Sequence, residues 1–295
     1  MGERIHLKAA IGAKAWRGRL EQEAKRAKSF ALDFEEVSPI HRAFAPMARE
    51  QKFDLSEMAI VTAIMAFAYD KPLVILPVTL AARFQHHTLI GRAKDRPASP
   101  GGLRGHRVAV RAYSQTTGAW VRGILQNDYG VPPDAMTWVT QEGAHVAEYK
   151  DPAWVERTDP RHKLTDMLKS GQVDAAVFGM DLPDDQEFAP VIDKPHEAAQ
   201  AWYARHRLVP VNHLMVVRRD VATNHPNVMR ELWGVLESAR PKQAGAIDMF
   251  PIGVAAIRPA VELLLRYCEQ QSLLPRKIRA DEIFAEAASF ARLTA

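Results

Sequence analysis

Residues 58–69, MAIVTAIMAFAY, are apolar almost throughout, and after Asp-Lys-Pro a second apolar run, LVILPVTL, follows at 73–80. The first run is too short to cross a bilayer and reads as a buried helix. The second reads as a buried strand. Around this pair, strand-like and helix-like segments alternate. IHLKAAIG, FALDFEEV, FDLSEM, HHTLIGR, HRVAV, MTWVT and VDAAVFG read as strands, and IHRAFAPMAREQ, SQTTGAWVRGILQNDYG and RHKLTDMLKSG as helices. Such alternation predicts an α/β fold built on a mainly parallel sheet. Ser114 is the expected N-cap of the SQTTGAW helix and Gly130 its C-terminal stop.

The organisation along the chain points to two lobes. A Pro- and Gly-rich stretch, AKDRPASPGGLRG (93–105), reads as a linker or exposed turn. On either side of it, APMAREQKFDLSEM and TDMLKSGQVDAAVFGM share one layout of helix, tight turn, apolar residue, aspartate and strand, which puts Asp54 and Asp174 in equivalent places. After VFGM come an acidic stretch, DLPDDQEFAPVIDKPHEAAQ, a returning strand LVPVNHLMVVRR and three helices. A chain that leaves one lobe, builds another and returns predicts a clamshell, with lobe 1 at 1–91 and 207–295 and lobe 2 at 92–206. Ligands are expected in the cleft between the lobes.

Composition removes several functions. Lys plus Arg number 39 against 35 Asp plus Glu, a net +4 spread along the chain, so nucleic acid is not expected, whereas a small anion is compatible. Cys268 is the only cysteine, so no intramolecular disulfide or thiolate zinc cluster can form, and it reads as a small hydrophobe. The N-terminal segment has an A-x-A-like AKA, but His6 and Lys8 break the apolar run before it. No signal peptide, no membrane segment and a cytoplasmic location are the expectation. The oligomeric state is open, a homo-oligomer included.

Candidate chemistry lies in four places. In ARFQHHTL (82–89), read as the end of a strand, alternation puts Arg83 and His87 on one face and His86 on the other. That separates the two histidines, and no H-x-H, HExxH or C-x-x-C spacing occurs, so no metal is expected. An arginine fork suits a carboxylate, and a histidine exchanges protons near neutral pH. Glu57, where an apolar strand turns into an apolar helix, is placed for a raised pKa. In YSQTTGAWVRG, Thr116 and Thr117 fall in the first turn of a helix whose free N–H groups can hold an anion, and Tyr113 and the more distant Arg122 are further substrate-binding candidates. His213 lies inside the returning strand.

Taken together, FDLSEM, LPVTLAARFQHHTLIGR, GLRGHRVAVRAYSQTTGAWVRGILQNDYGV, PVNHLMVVRRDV and LLRYCEQQSLLPRKIRADEIFA resemble the 4,5-dihydroxyphthalate decarboxylase family, from about residue 50 to the C-terminus. The resemblance implies a type 2 periplasmic-binding-protein-like fold and cofactor-independent loss of CO2 from 4,5-dihydroxyphthalate, giving protocatechuate. It also implies a small aromatic carboxylate as the partner. The hydroxylated ring is its own electron sink. Arg83 and the Thr116/Thr117 helix start would hold carboxylates, Glu57 or His87 would deliver the proton, and His213 would attend the phenol. The family pattern carries an arginine where His86 stands, so His86 is expected to bear on which acid is bound. The alternatives are a decarboxylase for a related hydroxyaromatic acid, or a non-catalytic solute-binding protein of the same fold. An exported binding protein would need a leader or lipobox cysteine.

Overall fold

The computed structural model describes residues 4–95, 99–179, 182–243 and 245–291. Parts of the expected linker and of the acidic stretch (96–98 and 181) lie outside the described residues. The chain divides into two compact units: 1–83 with 211–262 and 276–295, and 84–210 with 263–275.

In chain order the first unit begins with β1 (Ile5–Ala10), α1 (Lys14–Ala24), β2 (Phe30–Phe34), α2 (Phe44–Glu50), β3 (Leu55–Ala59), α3 (Ile60–Ala68) and β4 (Leu73–Ala82). The second unit follows with β5 (Leu89–Arg92), β6 (Arg107–Ala112), α4 (Thr116–Tyr129), β7 (Thr137–Glu142) and β8 (Val155–Arg157). It continues with α5 (Leu164–Lys169), β9 (Ala175–Val177), β10 (Phe188–Pro190) and α6 (Pro195–His206). The chain then returns with β11 (Val211–Arg218), α7 (Arg219–Asn224), α8 (Pro226–Ala239), α9 (Val254–Gln270) and α10 (Ala280–Ala291).

The first sheet has the order β2-β1-β3-β11-β4 and the second β10-β5-β9-β6-β7-β8. Both are mixed rather than mainly parallel. The parallel ladders are β1 with β2 and β3, β6 with β7 and β9, and β7 with β8. The strands beside the crossings between units, β11 and β5, run antiparallel to both neighbours. Read from one end, β2-β1-β3-β11-β4 repeats in the second sheet as β7-β6-β9-β5-β10, with the sense of every pairing kept.

The two aspartates of the sequence echo hold the same place in both sheets. Asp54 Oδ2 accepts the Lys8 N–H at 2.8 Å while the Asp54 N–H donates to the Lys8 carbonyl at 2.9 Å. Asp174 Oδ2 accepts the Arg107 N–H at 3.0 Å, and its N–H donates to the Arg107 carbonyl at 2.9 Å. Each carboxylate thus finishes a parallel ladder one residue before the strand proper begins. Each also pairs with an arginine of the adjoining antiparallel strand, Arg218 at 3.1 Å and Arg92 at 3.9 Å.

The core of the first unit packs Trp16 and Leu20 of α1 and Leu232 and Leu236 of α8 against Leu7, Ala9 and Leu55 of the sheet. In the second unit Ile90, Ala109, Val139 and Ala176 meet Met167 and Leu168 of α5. Three expectations change. Residues 83–88 are not strand: the Thr88 N–H and hydroxyl both donate to the Gln85 carbonyl, closing a turn. The face argument pairing Arg83 with His87 therefore does not hold. The helix after β6 starts at Thr116 with Gln115, not Ser114, at the N-cap, while Gly130 ends it at φ 68° as expected. Residues 263–275, read from sequence as part of the first lobe, join the second unit, because Gln271 and Tyr267 pack on α4.

Candidate functional site

Glu57 is the third residue of β3 and is 2 % exposed. A carboxylate at such depth requires partners, and it has three. Oε2 accepts the N–H groups of Gly12 (2.8 Å) and Ala13 (2.7 Å), and Oε1 lies 2.6 Å from His213 Nδ1. Ala13 is the N-cap of α1, so the carboxylate also sits at the positive end of a helix. Close approach at Gly12 is needed: a Cβ there would stand 2.7 Å from the Ile40 Cβ. Two amide donors leave Glu57 no room for a proton on Oε2, so its geometry is that of an acceptor. His213 Nδ1–H then donates to Oε1, which leaves Nε2 as the nitrogen that can take up or give a proton.

Strand register explains why these two residues meet. In β11, His213 lies opposite Ala59 of β3, and Met215 lies opposite Glu57. His213 and Glu57 are therefore diagonal neighbours on one face, within reach of long side chains. On the other side β11 is irregular against β4: Val211 faces Ala82 and His213 faces Ala81, so two residues oppose one. Such bulges re-aim side chains. Across the same stretch Val78 is bridged to Ile252 instead, the Pro77 carbonyl accepting the Gly253 N–H at 2.8 Å and the Thr79 N–H donating to the Pro251 carbonyl at 3.1 Å. Phe44 of α2 packs edge-on against the His213 ring at 5.2 Å. The imidazole is thus held by a carboxylate and an aromatic ring, while its side chain remains 25 % exposed.

The repeated topology supplies an internal control. Three residues beyond Asp54 is Glu57, and three beyond Asp174 is Val177. Met215 pairs with Glu57 as Leu89 pairs with Val177, so two residues earlier His213 and His87 correspond. The scaffold is satisfied by a valine where the first unit buries a carboxylate. Of the two equivalent histidines, only His213 has that carboxylate beside it.

In the second unit the remaining sequence candidates fall into two groups. His86 and His87 occupy the 83–88 turn. His86 is buried edge-on to Trp202 at 6.2 Å, with Nδ1 lacking a hydrogen bond. Burial, then the nearby His87 and Arg205, lower its pKa to about 4, so it is a neutral ring rather than a cation. His87 lies parallel to His196 at 6.4 Å. Arg83, half-buried, is the last residue of the first unit's opening segment. Thr116 and Thr117 begin α4 and are buried, and no side chain of the N-cap residue caps that helix. Tyr113 is buried, its hydroxyl accepting from Trp154 Nε1 at 2.9 Å. Arg122 is 0 % exposed and lies inside the unit, where no ligand could touch it. Cys268 is buried and its thiol is pushed up to about 12 by desolvation, which leaves it unreactive.

Sequence reading missed Gly12 and Ala13, whose contribution is backbone only, and the pairing of Glu57 with a residue 156 positions away. Among the described residues no group of three or more His, Cys, Asp or Glu is placed to hold a metal ion. None of the helices there is long and apolar enough to cross a membrane.

The chain is similar to two 4,5-dihydroxyphthalate decarboxylases. That of Comamonas testosteroni is 27% identical over 197 residues, covering 60% of this chain and 58% of the relative. That of Pseudomonas putida is 29% identical over 168 residues, covering 52% of this chain and 65% of the relative. The chain thus spans less than two thirds of the curated relatives it matches, and the relationship is distant. No family model matches. Among solved structures, the periplasmic sulfonate-binding protein SsuA from Methylobacillus flagellatus KT superposes with a TM-score of 0.57 at 11% identity, covering 99% of this chain and 94% of its own. The aliphatic sulphonate binding protein SsuA from Escherichia coli gives 0.50 at 13% identity, covering 97% and 84%. The desulfurization enzyme DSZB gives 0.53 at 13% identity, covering 99% and 100%. The fold is therefore that of the periplasmic solute-binding proteins, and DSZB is an enzyme that shares it.

Proposed function

We propose that this chain is a non-oxidative decarboxylase of a hydroxylated aromatic dicarboxylate, with 4,5-dihydroxyphthalate the favoured substrate. The observation that carries the reading is the buried Glu57–His213 pair, in a position where the equivalent strand of the second sheet needs only Val177. A buried carboxylate that fixes the tautomer of a partly exposed histidine is an arrangement suited to handing over a proton at the free ring nitrogen. The names of the two distant relatives support the same reading.

The reaction exchanges CO2 for a proton on one ring carbon. The hydroxyl para to that carbon feeds electron density into the ring, and the His213 imidazolium, oriented through Nδ1 by Glu57, gives its Nε2 proton to the carbon. The bond to the carboxylate then breaks, its electron pair returns to the ring, and CO2 leaves. One proton is consumed for each CO2 released. In this scheme Glu57 is the positioning residue and His213 the proton donor, whereas the sequence reading gave the proton to Glu57 or His87 and the phenol to His213. Arg83, of the same unit as His213, is the group assigned to a carboxylate. A positioned acid contributes roughly 10²–10⁴ in rate.

The test is to incubate the protein with 4,5-dihydroxyphthalate and related acids and follow CO2 and protocatechuate. H213N is expected to lose turnover by about 10²–10⁴, and H87N to keep most of it. A second reading, a solute-binding protein, draws on the two sulfonate-binding neighbours. Ligand-induced thermal stabilisation with no CO2 from any acid in the panel would establish that reading and end the first.

A further inference from the structure

The Gly12 amide that donates to Glu57 belongs to a peptide whose other end is also held. β1 ends at Ala10, so the Ile11–Gly12 peptide lies beyond the strand. Residue 12 has to be glycine, because a Cβ there would stand 2.7 Å from the Ile40 Cβ. Glycine leaves the chain free to turn, so the direction of this N–H needs a second anchor. Arg17 of α1 provides it: Nη1 donates to the Ile11 carbonyl at 3.1 Å. A peptide is planar and trans, so its C=O and N–H point opposite ways. Holding the Ile11 oxygen therefore aims the Gly12 N–H at Glu57 Oε2, which it meets at 2.8 Å.

The guanidinium is itself fixed from several sides. Nε donates to Glu21 Oε1 at 2.6 Å and Nη2 to Glu36 Oε1 at 2.8 Å, while Cζ stands 4.1 Å from the centre of the Phe34 ring. The two glutamate side chains are 44% and 87% exposed, so these ion pairs add little to stability. Their effect is to lock a long side chain whose remaining bond runs to Ile11. Guanidinium, peptide, carboxylate and imidazole thus form one hydrogen-bonded row, all within the first unit. A cation on the carbonyl end of a peptide polarises it and makes its N–H the stronger donor. The row therefore carries positive charge toward Glu57 Oε2 without placing a second cation beside His213.

We infer that Arg17 is a positioning residue for the Glu57–His213 pair, acting through the Ile11–Gly12 peptide rather than on either side chain directly. Without its bond the peptide can turn, Oε2 keeps only the Ala13 donor, and Glu57 no longer presents Oε1 to His213 Nδ1 in one orientation. For turnover, this rests on the reading of that pair as the proton-delivering site.

The test compares wild type, R17M and R17K by amide hydrogen exchange of ¹⁵N-labelled protein and by turnover of 4,5-dihydroxyphthalate. In R17M the Gly12 amide should exchange about ten-fold faster or more, while the amides of Leu7 and Ala9 in β1 and Leu20 in α1 keep wild-type rates. R17K keeps the charge and one donor but not the fork, so it should fall between the two. An unchanged rate at Gly12 would overturn the inference. So would an equal acceleration along β1 and α1, which is what a structural role alone produces. In R17M kcat should fall by about 10- to 100-fold with KM nearly constant, and R17M should add little further loss to E57Q. A raised KM at unchanged kcat would make Arg17 a direct substrate contact and end the positioning role. Should R17M not fold, R17K decides: faster exchange confined to Gly12 supports the role, and a wild-type rate there refutes it. Faster Gly12 exchange in R17M, with no CO2 from wild type and any acid, would leave the bracing of Glu57 standing and remove the decarboxylase reading. CO2 release and Gly12 exchange both unchanged in R17M would do the reverse.

Discussion

Replacing Glu57 by glutamine changes one atom and reverses one hydrogen bond. The two amides of Gly12 and Ala13, at 2.8 and 2.7 Å, both point at Oε2, so the glutamine must place its carbonyl oxygen there. Its NH2 group then occupies the place of Oε1, 2.6 Å from His213 Nδ1. A donor facing Nδ1 forces that nitrogen to become the acceptor, and the ring proton moves to Nε2. His213 is then in the wrong tautomer to be reprotonated at Nε2 and has lost the charge that stabilises its imidazolium. The expected fall in kcat is about 10²–10⁴, or roughly 3–5 kcal/mol of barrier. Three hydrogen bonds also lose their charge-assisted character, at about 1 kcal/mol each, partly offset because a carboxylate is no longer buried; a net loss of about 1–3 kcal/mol of stability is expected. The assays are CO2 release under saturating 4,5-dihydroxyphthalate and long-range ¹H–¹⁵N correlation of the His213 ring. Near-normal turnover with the Nδ1–H tautomer retained in E57Q would refute the reasoning.

Two further outcomes concern stability. His86 has a folded pKa of about 4 against 6.5 when free, so the unfolded chain binds the extra proton first. Its contribution is therefore complete above pH 6.5 and is lost as the pH falls toward 4, by up to about 3 kcal/mol. H86F should flatten the fall in melting temperature over that range, and an identical slope in the variant would count against it. Gly123 faces Tyr267, where a Cβ would stand 1.9 Å from Cδ2. G123A should cost about 3 kcal/mol in chemical denaturation, with partial recovery in G123A/Y267L, whereas a neutral G123A would show that α4 and the 263–275 segment are less tightly packed than described.

What could be read from the residues depended on how local the signal was. The α3 run and β4 announce themselves because each is buried along nearly its whole length, and Asp54 and Asp174 stand out because their surroundings repeat. Helix α6 was hidden inside an acidic stretch: only Ala199 and Trp202 of it are buried, too few to mark a periodicity. The double histidine misled because Arg83 to Thr88 continue a strand-like run of residues, whereas Thr88 folds back onto Gln85. Glu57 and His213 were each visible as candidates. Their partnership depends on register between strands far apart in sequence and on backbone amides, neither of which has a residue-type signature.

The position of β11 has a consequence for the order in which the molecule can be made. The second sheet draws all its strands from 89–190, a continuous stretch, whereas the first must wait for 211–218 to fill the gap between β3 and β4. During synthesis the N-terminal part of the chain therefore emerges with two apolar strand edges unsatisfied, while the later part completes its own sheet. The strand that closes those edges is also the one that carries His213. A nascent chain that stalls before residue 211 is thus both sticky and without His213, the partner of Glu57.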